Sequence, residues 1–251
     1  MTSPIDDTIL AALVIFCRSG CCIMTLPGFS NEHIPVRVRL YIAIGVTLPL
    51  ALSLVDVVKP HISGASMPTI AVVVVTEALV GVLLGFLTRL FLMSLETLAT
   101  AVVMAIGLGN VFGGPVNSSE PTPAMASFVV IGATTLIFVT DQHWELIRGL
   151  HLSYSAVPIM AEPTMEGLLR EFLKALAKSY LLVLRLGSPF LLFALITNLA
   201  FGFLNRMAPQ APVYFVSAPL LIILGTYWFY LAAPDFFSAF SADFGAWIIH
   251  G

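Results

Sequence analysis

Thr69 to Leu92 reads "TIAVVVVTEALVGVLLGFLTRLFL". Only Glu77 and Arg89 are charged in it. An apolar run of this length is enough for an α-helix to cross the hydrocarbon core of a bilayer, which takes about 20 residues. A charge deep in hydrocarbon costs roughly 2.5 to 3.5 kcal/mol on insertion scales, so both need a reason to be there. Their spacing supplies one. Glu77, Gly81, Gly85 and Arg89 recur every four residues and stack in one slowly drifting stripe on the helix. Two glycines four apart let a second backbone come close, so the stripe is expected to face protein rather than lipid. Glu96 stays near it, seven residues beyond Arg89. A proton or ion relay is the competing reading. It needs several carboxylates facing one another, and Glu77 has no evident second, so packing and ion pairing are expected.

The rest of the chain is written in the same way. Of its 251 residues 59% are hydrophobic and only 10% charged, with a mean hydropathy of +0.99, a composition suited to an apolar solvent. Further apolar stretches run from Ile9 to Leu26, Val38 to Val58, Ala124 to Thr140, Ser179 to Leu204 and Val213 to Ala233. They predict an all-α, polytopic, membrane-associated chain. Arg18 and Arg185 are further candidates among the charges inside apolar segments. Thr97 to Leu108 is too short for a span of its own and reads as a continuation of the third helix or a half-helix. Asn198, Gly202 and Arg206 repeat the four-residue stripe and read as a second assembly face. No internal repeat, flexible linker or composition change divides residues 1–251, so one domain is expected.

Basic residues suggest an orientation. Arg37 and Arg39 follow the first helix, and Arg148, Arg170, Lys174 and Lys178 lie between Asp141 and Lys178. Placing both connections in the cytoplasm puts the N-terminus outside, and requires the chain to cross back between Thr97 and Leu108. In the second connection, Met165, Leu168, Leu169, Phe172, Leu173 and Leu176 share a helical face, with Arg170, Glu171, Lys174 and Lys178 largely opposite. This predicts an amphipathic helix lying on a membrane or against partner helices. Asp141 is placed to N-cap a short helix through Trp144, Ile147 and Leu150.

Several functions are set aside by what the chain carries. A net charge of −3 with scattered basic residues offers no nucleic-acid footprint. Cys17, Cys21 and Cys22 are odd in number, all in the first apolar segment, and read as small buried residues. His33, His61, His143, His151 and His250 are dispersed, without the spacing of a helical zinc site, and no cofactor motif or catalytic constellation occurs. No enzyme is expected. The first ten residues hold Asp6 and Asp7 and no lysine or arginine, the reverse of a secretory leader, so the first segment is expected to be retained.

One stretch resists the helical reading: "IGLGNVFGGPVNSSEPTP", Ile106 to Pro123, set between two apolar segments. It is either a solvent-exposed loop ended by Pro115, Pro121 and Pro123, or backbone held non-helical beside a pore. Such backbone is tolerated at membrane depth only where protein or a water-filled cavity surrounds it.

Three further stretches point in one direction. "CRSGCCIMTLPGFSNEHIPVRVRLYIAIGVTLPL" has Arg18 in the first helix and then I-P-x-R-x-R, with Pro35 and Arg37, leading into the second. "HWELIRGLHLSYSAVPI" has the form of a short helix ending in S-Y-x-x-x-P. "PFLLFALITNLAFGFLNRMAPQAPVYFVSAPLLIILG" joins two apolar helices through N-R-x-A-P-Q, with Pro209 and Gln210. Together they resemble the FliR family of flagellar export-gate proteins, whose relatives serve virulence type III secretion. Ala211 and Pro212 depart from the leucine and asparagine usual in that family, and "GGPVNSSEP" differs in spacing.

The resemblance implies a gate subunit rather than an enzyme. One copy would assemble with several FliP-like and FliQ-like subunits into a cone of packed helical hairpins in the bacterial inner membrane at the flagellar basal body. A FlhB-like export switch protein is a further implied partner, and unfolded export substrates would pass through the channel. It also implies that Gly107, Leu108, Gly109, Asn110, Val111 and Phe112 contribute to the plug of the resting channel. A competing function of another class is a secondary transporter using Glu77 as its coupling carboxylate. Such transporters commonly carry paired repeats with broken helices, and none is visible here. The sequence leaves open whether the system is flagellar or an injectisome.

Overall fold

A run of apolar side chains can hide its backbone from lipid only by closing every hydrogen bond within itself, and this chain does so by coiling into helices. The computed structural model describes residues 4–29, 34–106, 123–160, 165–207 and 213–250. Among the described residues there are seven helices and no strand: α1 (Pro4–Thr25), α2 (Val36–Ile62), α3 (Met67–Ala105), α4 (Ala124–Val139), α5 (Gln142–Ala156), α6 (Met165–Met207) and α7 (Val213–His250). Five of them, α1, α2, α3, α6 and α7, are long and apolar enough to cross a membrane. The chain is an all-α polytopic protein.

Helix boundaries depart from the apolar segments in instructive ways. α3 runs unbroken through Ala105, so residues 97–105 extend the third helix. They provide no separate crossing, and the orientation that required one there does not follow. The amphipathic run after Thr164 and the apolar segment after Ser179 are one helix of 43 residues, α6. α7 likewise passes Ala233 and Pro234 and continues to His250. In α6, Pro189 has no N–H for the carbonyl of Arg185 four residues earlier; the hydroxyl of Ser188 donates to that carbonyl instead, at 2.9 Å. α5 begins where expected, but Asp141 does not cap it with its side chain. Its backbone is left-handed, φ 57°, and its carbonyl accepts from the N–H of Trp144 at 3.0 Å.

The described residues fall into two compact units, one within 1–90 and 141–176, the other within 91–140 and 177–251. Of the three points where the chain passes from one unit to the other, two lie inside helices, α3 and α6, and the third falls at Thr140 and Asp141, between α4 and α5. In the first unit α2 buries Ala43, Thr47, Leu50, Leu54, Val58 and Ile62, a stripe with helical period, against Ala11, Val14 and Ile15 of α1 and their neighbours. The hydroxyls of Ser19 and Thr47 meet within this contact at 2.7 Å. One donates to the other, and the acceptor's own proton is free for the carbonyl one turn back on its helix, Ile15 or Ala43. The opposite face of α2 shows Tyr41, Leu48 and Leu52 outward, the last 85% exposed.

The second unit is built around aromatic rings. Phe91 of α3 packs edge-on to Phe244 of α7 at 5.7 Å between centroids, and on Trp247 at 4.3 Å. Phe240 and Phe244 stack at 5.8 Å, and Phe190 of α6 meets Phe236 edge-to-face at 6.0 Å. Gly187 of α6 lies so close to Leu98 of α3 that a Cβ there would overlap the leucine side chain. The hydroxyl of Ser94 donates to that of Ser179 at 3.0 Å, a buried polar tie between α3 and α6.

Candidate functional site

The first unit buries a pair of opposite charges among its apolar side chains. Arg18 is fully buried and Glu77 nearly so, 0% and 2% exposed. The guanidinium presents two N–H groups to the two carboxylate oxygens, Nε to Oε2 at 2.6 Å and Nη2 to Oε1 at 2.9 Å. This fork-to-fork geometry is the strong form of an ion pair. The other side of the guanidinium faces α5: Nη1 donates to Ser153 Oγ at 3.2 Å, and Nη2 to the carbonyl of Val157 at 3.0 Å. Tyr154 lies under it, its ring centroid 4.0 Å from Arg18 Cζ, a cation–π contact.

Each partner is in place for a local reason. Val157 follows the last turn of α5 and Pro158 prevents continuation, so the Val157 carbonyl has no helical N–H ahead of it and receives Arg18 instead. Ser153 passes its own proton to the carbonyl of Leu150 at 2.7 Å, leaving its oxygen to accept from Arg18. The Tyr154 hydroxyl is buried with no hydrogen-bond partner among the described residues. One side chain of α1 therefore ties together α3 and the end of α5.

Gly81 and Gly85 lie on the same seam. A Cβ at Gly81 would overlap the carbonyl oxygen of Arg18, and one at Gly85 would overlap Thr25 Oγ1 and lie 2.5 Å from the Cys22 carbonyl oxygen. The close approach expected at these glycines occurs, and the approaching backbone is α1 of the same chain. Arg18 lies against Gly81 while Cys22 and Thr25 lie against Gly85, so α1 and this part of α3 run in the same direction. Arg89 has drifted off the seam and is exposed.

The remaining candidates are scattered. In the second unit Asn198 is exposed and donates to the Ala105 carbonyl at 3.2 Å. Among the described residues nothing lies within 4 Å of where a Cβ would stand at Gly202, and Arg206 is exposed. Pro35 occupies the N-cap of α2 with φ −54° and ψ 139°, and its carbonyl accepts from Val38 N–H at 2.9 Å; Arg37 is exposed. Gly107 to Phe112, Pro209 and Gln210 lie outside the described residues. The sequence alone did not pair Arg18 with Glu77, nor bring Ser153, Tyr154 and Val157 to them. The available signals were one arginine and one glutamate in separate apolar helices, and the S-Y-x-x-x-P ending of α5.

The family model for bacterial export proteins, family 1, matches residues 9–247. The chain belongs to the FliR family of these proteins. It is 30% identical over 217 residues to the flagellar biosynthetic protein FliR of Caulobacter vibrioides, covering 86% of each chain. It is 29% identical over 203 residues to the FliR of Escherichia coli, 81% of this chain and 76% of that one. With the FliR of Aquifex aeolicus the identity is 25% over 230 residues, 91% and 87% of the two chains. FliR membership, together with its apolar helices, makes the chain a membrane component of the flagellar export apparatus.

Proposed function

We propose that the chain is a structural and gating subunit of the flagellar type III export channel in the bacterial inner membrane. It assembles as one copy with FliP-like and FliQ-like subunits, neighbours a FlhB-like switch protein, and borders the path of unfolded substrates. The observation that carries this reading is the family match across residues 9–247. The exposed Asn198, Gly202 and Arg206 support it as a face for another subunit, because a glycine notch in a helix suits close approach of a second helix. Glu77 engages both carboxylate oxygens with Arg18, which removes the free carboxylate that a transporter reading needs.

In this reading Gly107 to Phe112 contribute to the plug. Leu108, Val111 and Phe112 form an apolar constriction that excludes water, and an extended polypeptide displaces it. The test is conductance of purified complexes in planar bilayers, intact against a deletion of residues 107–112. An assembled deletion complex that conducts ions, beside a closed intact one, is the expected result. Equal closed behaviour with assembly confirmed would return the stretch to an ordinary loop.

A further inference from the structure

The seam between α1 and α3 poses a problem of register. Gly81 and Gly85 are one helical turn apart, and each accommodates a carbonyl of α1, those of Arg18 and Cys22, which are also one turn apart. Shifting α1 by a turn along α3 brings one carbonyl of this row over the other glycine, so the notch by itself does not distinguish the two seats. The buried apolar positions of α1, Ala11, Val14, Ile15, Cys22 and Ile23, recur with helical period, so their spacing permits a one-turn shift although their sizes differ. The charges do discriminate. Side chains on a helix lean toward its N-terminus, and with the two helices running the same way the Arg18 guanidinium reaches back one turn from Gly81 to Glu77. One turn further along α3 the same guanidinium would have no carboxylate beside it, and the Ser153 and Val157 oxygens would be out of reach. A buried guanidinium without its partners is a severe cost.

We infer that Arg18 is a register pin: its fork on Glu77, backed by Ser153 and Val157, selects one of the one-turn-related seats that the Gly81 and Gly85 notch permits. Arg18 is a positioning residue, and this role rests on the contact geometry, independently of the export reading. Selection of register is among the best-attested uses of buried polar groups, which contribute little net stability beside an apolar replacement.

The experiment replaces the pair by apolar residues, so that no charge is left buried alone. Spin labels are placed at Ile9→Cys of α1 and Val82→Cys of α3, both exposed positions, with Cys17, Cys21 and Cys22 replaced by alanine. Pulsed dipolar spectroscopy is then recorded on the full chain in membrane vesicles from the expressing cells. The parent should give one interspin distance. Arg18→Leu with Glu77→Leu, and in parallel Arg18→Met with Glu77→Met, should remain folded and give a second distance, reflecting displacement along the helix by about one turn, ~5.4 Å. A split distribution in whichever pair folds supports the pin. A single, parent-like distance in a folded pair overturns it, because the apolar seam would then fix register alone. Loss of the folded chain in both pairs overturns it too, since the ion pair would then be a stability anchor and not a selector of register.

Discussion

At Gly85 a side chain has no space, because a Cβ would already overlap Thr25 Oγ1. Gly85→Leu should therefore separate α1 from α3 and leave little folded protein in the membrane, as measured by protease resistance in vesicles. At the neighbouring charge the outcome depends on what replaces it. Glu77→Leu alone leaves Arg18 buried with only neutral oxygens, and removing one partner of such a pair costs about 3 to 5 kcal/mol. Its melting temperature in detergent should fall well below that of the parent, and adding Arg18→Leu should recover most of the loss. A double variant as unstable as the single one would mean that packing of the arginine stem, not charge, sets the cost. How legible these residues were follows from the same physics. The spacing of Gly81 and Gly85 reports that some backbone comes close, because that information is local to one helix. Which backbone it is depends on pairing across 59 positions from Glu77 to Arg18, and no periodicity within α3 encodes it.

The elements were legible in kind because long apolar runs have few other solutions in a membrane. Their ends were less so. α3, α6 and α7 all outrun their apolar segments, because the segment ends are changes of polarity, and polarity does not stop a helix whose backbone bonds continue. Even Pro189 is absorbed, with Ser188 supplying a donor to the carbonyl of Arg185. Ser188→Ala should leave that carbonyl without this bond and cost about 1 kcal/mol, a small drop in the melting temperature. The ring cluster of the second unit is a larger contributor. Phe244 is fully buried against Phe91, Phe240 and Trp247, so Phe244→Ala should cost roughly 3 to 5 kcal/mol, the range for truncating a core aromatic. The same thermal scan checks it. Comparable melting for Ser188→Ala and Phe244→Ala would contradict this ranking.

Across the whole molecule, the sequence carried the all-helical class and the family, but not the division of the chain into two compact units. Two of its three crossing points fall inside α3 and α6 and the third in the two-residue connection between α4 and α5, so neither a flexible linker nor a shift in composition marks it. What the folded chain leaves uncovered bears on its assembly. Leu52, Leu181, Leu195, Ile196 and Tyr230 are among many apolar side chains more than half exposed, and the polar face at Asn198, Gly202 and Arg206 is exposed among them. Lipid can cover the first set at no cost, but an arginine and an asparagine facing hydrocarbon are expensive. In the proposed assembly the second set is covered by protein, and Gly202 gives the cleanest test of it. Among the described residues nothing lies within 4 Å of where a Cβ would stand at that position, so Gly202→Leu should leave the subunit folded, with the thermal stability of the parent. If a neighbouring helix packs into the notch, the leucine will hold it off, and co-purification with the FliP-like and FliQ-like subunits should drop several-fold. Gly149→Leu serves as the control, an open glycine in α5 that the assembly reading does not involve. Equal recovery of complex from both variants would mean that the Gly202 face is turned to lipid or water, and the stripe from Asn198 to Arg206 would no longer count as a subunit contact.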